Sequence, residues 1–338
     1  MHSQQWQNLL VNIGGNIVQQ IYIMTKLFNV HDRLTSLFLC DTIDKWISDG
    51  VIRGFSRCFL PFRDSNEKVK NKNNQTLEIY KMDCNTIESA TALVGFFDGP
   101  SYDSGIGFEI GYGFILGKPI YLLTSDYFKV SYSSEKPVSI SWLVDSIANV
   151  IHIRNCSNQC TDYQTNLLSQ RDELCSKLKP QLTALNTIQS CDNHYEISPT
   201  TIQTAFFLDP AFCKSESSRL VLKKIISALN SSNLSYYIPS PTECSSSGLI
   251  KNHISAAENI IIYCDHKFDM DVESSIIQGM AAALKKKIWL YSTDNTALIQ
   301  STSFILKKNP MIWHSAHFHI NSSLDFESMI SLQGIQHE

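Results

Sequence analysis

VGFFDGPSYDSGIGFEIGYGFILGKPIYLL, residues 94–123, is the stretch whose reading decides the fold. It opens on an apolar strand, passes through a turn rich in Gly and Asp, enters a helix near Gly107 and ends on a second strand, IYLL. A buried strand followed by Asp98, Gly99, Pro100, Asp103, Ser104 and Gly105 is how an open α/β sheet builds a site at its carboxyl edge. That geometry would bring Asp103 and Glu109 to one mouth.

Upstream, IYIM (21–24) reads as a short strand. A helix with apolar residues Leu34, Leu37, Phe38, Ile43, Trp46 and Ile47 at helical spacing follows, and it stops at Gly50. CFLPF (58–62) reads as a strand ended by Pro61, RDSNEKVKNKNNQ (63–75) as a polar loop and 77–92 as a helix. Downstream, SWLVDSIAN precedes another strand, VIHI (150–153). Strands and helices alternate throughout, which predicts an α/β, doubly wound parallel sheet with helices on both faces.

Length and composition set the frame. The 338 residues suffice for two domains, and 43% hydrophobic with 18% charged residues is globular composition. A net charge of −4 without a basic stripe argues against a nucleic-acid polymer as partner. The ten cysteines are scattered without a CxxC pair, so free thiols and a reducing, cytoplasmic location are expected. Cys156 and Cys160, with His152 nearby, lack the further ligands of a zinc site. His314, His317 and His319 read as ordinary surface or core histidines. Neither a signal-peptide order nor an apolar run of membrane-spanning length is present, so no membrane association is expected.

The second half repeats the first. AFFLDPAF (205–212) stands in register with IYIMTKLF, YYIP (236–239) with CFLP, AENIIIYCD with TALVGFFD, and IIQGMAAALKKKIWLYSTD with FEIGYGFILGKPIYLLTSD. The expected organisation is a first domain at 1–155, a partly helical connector at 156–197 and a second copy at 198–338. Laying Gly279 on Gly111 puts Ile277 where the first copy has Glu109, and the place of Asp83 falls near Ile250 and Lys251. The second copy therefore keeps the fold and loses the chemistry. A site shifted onto Glu273 is the alternative.

Asp83, Asp103 and Glu109 form the chemical constellation. A helix N-terminus favours an ionised carboxylate by a few tenths to about 1 kcal/mol. Such a carboxylate can attack an oxocarbenium-like carbon, while a second carboxyl with a raised pKa protonates the leaving group. The plainer alternative is that Asp98 and Asp103 cap turns and Glu109 complements the helix dipole.

D-G-x-x-x-D-S-G-x-x-x-E-x-G-Y (98–112), followed by G-K-P (117–119), resembles the signature of nucleoside 2-deoxyribosyltransferases. IYIMTKLFN, FLPFRD (59–64) and D-x-N-x-I (83–87) agree, so the resemblance spans about residues 20–153. It implies two tandem flavodoxin-like domains, given the repeat, and transfer of a 2-deoxyribosyl group between nucleobases through a covalent sugar–enzyme intermediate. By position, Glu109 matches the nucleophile, Asp83 and Asp103 the acids that handle the base's protons, and Tyr22 the tyrosine that orients the nucleophile. Asp98 and Gly105 fall in the substrate-binding turn. Ser139 falls where a neighbouring subunit completes the sugar site.

The resemblance has one departure, Met24, Thr25 and Lys26 where the family has a small Gly-containing loop. Lys26 there either adds a positive charge for a phosphate or points to solvent. The partner is thus a nucleoside or nucleotide, with no cofactor and no metal. The second copy would act as an intrachain neighbour, with further homo-oligomerisation open. Hydrolysis by an N-glycosidase, or a non-catalytic nucleotide sensor on the same fold, are the alternatives.

Overall fold

A computed structural model describes residues 19–26, 30–65, 75–97, 103–124, 141–152, 163–185, 203–207, 216–231, 235–238, 246–264, 272–292, 299–300, 305–306 and 309–320. In the first half, β1 (Gln19–Met24) leads to α1 (Val30–Ser48), β2 (Phe55–Phe59) and the short α2 (Pro61–Asp64). Then come α3 (Gln75–Ser89), β3 (Ala92–Phe96), α4 (Ser104–Ile115), β4 (Ile120–Thr124), α5 (Trp142–Ile147) and β5 (Asn149–His152). All pairings are parallel and the strand order is β2-β1-β3-β4-β5. This order places a topological switch point between β1 and β3, where doubly wound sheets bind ligands beyond their carboxyl ends.

Local chemistry explains the element ends. Helix α1 stops where Gly50 takes a φ of +70°, a conformation that costs glycine nothing. The strand expected at 58–62 instead ends at Phe59, and Pro61 begins α2 rather than merely stopping the strand. Proline's missing N–H is no loss at the first helical position. Helix α4 starts at Ser104, three residues before the expected Gly107, because Asp103 caps it: its side chain accepts from Gly105 N–H at 2.7 Å. Such a cap contributes about 1 kcal/mol.

Between the halves runs α6 (Tyr163–Ala184), which continues through Pro180. Its Leu174, Leu178 and Leu182 join Ile21, Ile23, Leu39 and Ile43 on one face of the first sheet. Lys177 Nζ donates to His152 O at 2.8 Å and Arg171 lies 4.9 Å above the Phe38 ring. Helix α6 is thus a layer of the first half.

The second half contains β6 (Gln203–Phe207), α7 (Glu216–Ser231), β7 (Tyr236–Tyr237), α8 (Ser247–Ala256), β8 (Ala257–Cys264), α9 (Val272–Ala283) and β9 (Lys287–Ser292). The small pair β10 (Ile299–Gln300) and β11 (Ile305–Leu306), then α10 (Pro310–Ser315) and β12 (Phe318–Ile320), complete it. Its five-stranded sheet runs β7-β6-β8-β9-β12, again parallel, so the order of the first sheet recurs.

The two halves share one core. Tyr22, Leu93, Phe108 and Leu122 of the first pack in the same apolar cluster as Ile254, Ile260, Ile276, Met280 and Leu290 of the second. The contact is made by α4 and α9, whose backbones touch. A Cβ on Gly111 would overlap the Ile276 carbonyl, and one on Gly279 would overlap the Phe108 carbonyl. Gly111 stands three residues after Phe108 and Gly279 three after Ile276, so each helix presents its glycine to the other's carbonyl and the crossing is reciprocal. Among the described residues no helix is long and apolar enough to cross a membrane.

Candidate active site

Tyr22 is the centre of β1, and its hydroxyl donates to Glu109 Oε1 at 2.6 Å, 87 residues away in sequence. Both side chains are buried, and the Tyr22 ring stacks on Phe59 of β2 with centroids 5.7 Å apart. Glu109 Oε2 is buried with no hydrogen-bond partner among the described residues. Asp83 enters from α3, is 4% exposed, and its charge acts on both Tyr22 and Glu109. Three segments therefore deliver Tyr22, Asp83 and Glu109 to one buried point near the switch in strand order.

Electrostatics differ from the sequence expectation at one residue. Glu109 was expected to be ionised by the helix N-terminus, but its pKa is raised well above the ordinary carboxylate value. Burial is the main cause and the Asp83 charge the next; the Tyr22 hydrogen bond works in the opposite direction, and Asp103 adds a further increase. Glu109 lies in the second turn of α4, beyond the first turn where the helix dipole acts strongly, so desolvation wins. The Tyr22 hydroxyl is likewise pushed up, first by burial and then by the Asp83 and Glu109 charges.

Asp103 serves as the helix cap that the plainer sequence alternative named, and it also meets a residue that sequence reasoning missed. Asn309 Nδ2, from the second half, donates to Asp103 Oδ1 at 3.1 Å. Asn309 is itself the cap of α10, where its Oδ1 accepts from Met311 N–H at 3.0 Å. Gly105 makes room for it, since a Cβ there would stand 2.7 Å from Asn309 Nδ2. The available signal was the Asn-Pro pair opening a helix in the second half.

Around this core, His314 Nε2 of α10 bonds Thr76 Oγ1 of α3 at 2.8 Å, and Tyr80 packs edge-on to Phe108. The second half thus braces the helix that carries Asp83. Met24 is fully buried in the shared core, and the Thr25 hydroxyl bonds both Lys26 O and Ser36 Oγ. Lys26 is half-buried next to them. Asp98 and Ser139 lie outside the described residues, as do Cys156 and Cys160. The three histidines are dispersed: Ile288 N–H donates to His317 Nδ1 at 3.2 Å, and the His319 ring stacks on Trp313.

In the second half, strand register aligns Phe206 with Tyr22, because Tyr22 pairs with Leu93 and Phe59 as Phe206 pairs with Ile260 and Tyr237. Ile250 and Ile277 are buried core residues, and Lys251 next to Ile250 is half-buried. Glu273 is buried in the first turn of α9.

Two solved structures bear a distant likeness to the chain. One is a protein described as sugar-binding from Salmonella typhimurium LT2, with 8% identity, a TM-score of 0.26, and coverage of 96% of this chain and 92% of that one. Another is described as a phosphosugar isomerase from Clostridium difficile 630, with 12% identity, a TM-score of 0.26, and coverage of 94% and 75%. No curated protein matches the chain. Tyr22 lies upstream of the one segment that a family model matches. That segment, residues 48–170 in the first half of the chain, carries Asp83, Asp103 and Glu109 and matches the nucleoside 2-deoxyribosyltransferase family.

Proposed function

We propose that the first half transfers a 2-deoxyribosyl group between nucleobases, with Glu109 as nucleophile. The observation that carries this reading is the 2.6 Å bond from Tyr22 to Glu109 Oε1, which leaves the buried Oε2 for attack at C1′ of a deoxynucleoside. The Asp83 charge and burial keep a proton on the Glu109–Asp83 pair, because two carboxylates in one buried site do not both ionise readily. That proton passes to the leaving base while Glu109, now a carboxylate, forms the bond to C1′ and the C1′–N bond breaks. An incoming base then attacks C1′, returns its proton to the pair, and releases Glu109. Asp103, fixed by Gly105 and Asn309, lines the same mouth.

In this reading the chain is a tandem duplication whose second half is a non-catalytic neighbour. Its support is the repeated strand order, the reciprocal α4–α9 crossing, the apolar Ile277 at the place of Glu109, and Ile250 and Lys251 near the place of Asp83. The second half gives Asn309 and His314 to the first, as a separate subunit would. The substrate is a small nucleoside or nucleotide, and Lys26 near the β1 terminus favours one that carries a phosphate. Free, buried Cys40, Cys58, Cys84 and Cys175 fit a reducing compartment such as the cytoplasm.

Incubating the protein with a 2′-deoxynucleoside and a second free base tests the reading. Exchanged nucleoside supports transfer, and free deoxyribose assigns hydrolysis by the same intermediate. A thermal shift with neither product would assign a sensor. Mass spectrometry after exposure to a 2-fluoro-2-deoxynucleoside should find the sugar on Glu109, and an adduct on no residue would overturn the covalent mechanism.

A further inference from the structure

Away from the acidic site, α1 and the edge strand β2 bring together a second set of ligand atoms. Cys40 and Asp44 are four residues apart on α1 and therefore share a face, and Cys58 of β2 lies against them. The two Sγ atoms and a carboxylate oxygen of Asp44 all lie within 4.8 Å of one another, with Cys40 Sγ 3.9 Å from Asp44 Oδ2. Both cysteines are free thiols and fully buried. In a tetrahedral site with metal–sulfur bonds of ~2.3 Å and metal–oxygen bonds of ~2.0 Å, ligand atoms stand roughly 3.5–3.8 Å apart. Side-chain shifts of about 1 Å or less would let the three atoms share one cation.

The carboxylate is already aimed. Cys58 N–H donates to Asp44 Oδ1 at 2.6 Å, and Arg63 Nη1 to Oδ2 at 3.2 Å. Arg63 is in turn held by Asp64, through Nε at 3.0 Å and Nη2 at 3.0 Å, and by Cys58 O at 2.7 Å. Groups placed in this way orient a ligating carboxylate and keep its geometry fixed.

We propose that Cys40, Cys58 and Asp44 bind one thiophilic divalent cation of the zinc class. Two S–H protons leave as one dication enters, so the formal charge of Cys40, Cys58, Asp44, Asp64 and Arg63 together stays at −1. Arg63 keeps its bonds to Asp64 and Cys58 O when the cation takes its share of Asp44. A solvent molecule would complete the coordination, reached past Asp44 and Arg63, whose side chains are 29% and 30% exposed. The cation would tie α1 to β2 next to Phe59, whose ring supports Tyr22, without touching Asp83, Asp103 or Glu109.

The test is a Cd2+ titration of the reduced, chelator-stripped full chain under anaerobic conditions. A thiolate-to-cadmium charge-transfer band should saturate at one equivalent, with two protons released per cation as read by a pH indicator. Cys40→Ser and Cys58→Ser should each abolish the band, Cys175→Ser should keep it, and Asp44→Asn should weaken binding ~10–100-fold. Zn2+ should displace Cd2+. Because the band and proton count are measured on the unaltered protein, a variant that fails to fold does not rescue the idea. No band at one equivalent, or a band that survives in both cysteine variants, overturns it.

Discussion

Gly279→Ala is a single-methyl change in the half of the chain that lacks the acids, and it should disable the half that has them. The new Cβ would stand 2.8 Å from Phe108 C and 2.9 Å from Tyr112 N, both on α4. Ordinary carbon–carbon contact is ~3.5–4.0 Å, so the two helices must part by about 1 Å. Overpacking of this kind costs roughly 1–3 kcal/mol, which exceeds the gain of about 1 kcal/mol in helix propensity from replacing glycine. Helix α4 carries Asp103 and Glu109, and the separation moves them relative to Asn309, Thr76 and Tyr22. A misplacement of ~1 Å can lower turnover about 100-fold. The assay is base exchange on a deoxynucleoside alongside thermal unfolding. Gly248→Ala serves as the control, because nothing lies within 4 Å of a Cβ at that helical position. Wild-type turnover and stability in Gly279→Ala would refute the reasoning from the crossing to the site.

Other perturbations address the site directly. Burial raises the Glu109 pKa above its unfolded value of about 4.3, so the native state holds this proton longer and stability is lost as pH rises through that window. Glu109→Gln should therefore be more stable than wild type at pH 8 by ~1–3 kcal/mol and unfold at a higher temperature, with the gain vanishing near pH 4, while activity falls at least ~1,000-fold. A gain independent of pH would count against the raised pKa. Tyr22→Phe removes the bond to Glu109 and should lower turnover about 10–100-fold, with unchanged activity in the variant excluding Tyr22 from orienting the nucleophile. Asn309→Ala should reduce turnover about 10-fold, and Asn309→Asp should reduce it further by facing Asp103 with a second carboxylate, with partial recovery at low pH. A pH–rate profile identical to wild type for Asn309→Asp would exclude that contact from the working site.

Much of this was legible from residues 94–123. An apolar run such as ALVGF has few options but a buried central strand, and the D-S-G-x-x-x-E spacing fixes where two acids fall once a helix follows. What escaped was tertiary. The charge state of Glu109 depends on being buried beside Asp83, which no helix-dipole argument from local sequence contains. Asn309 is 206 residues from Asp103, and its partner follows only from how α4 and α9 cross. The convergence of Cys40, Asp44 and Cys58 needed the packing of α1 onto β2, since 14 residues separate Asp44 from Cys58.

The contact between Asn309 and Asp103 is made within one chain. A neighbour joined by covalent linkage is present at an effective concentration of order millimolar, whatever the amount of protein in solution. A pocket assembled from separate subunits empties of its second wall on dilution; here the wall travels with the acids. Per-chain activity should therefore be insensitive to protein concentration.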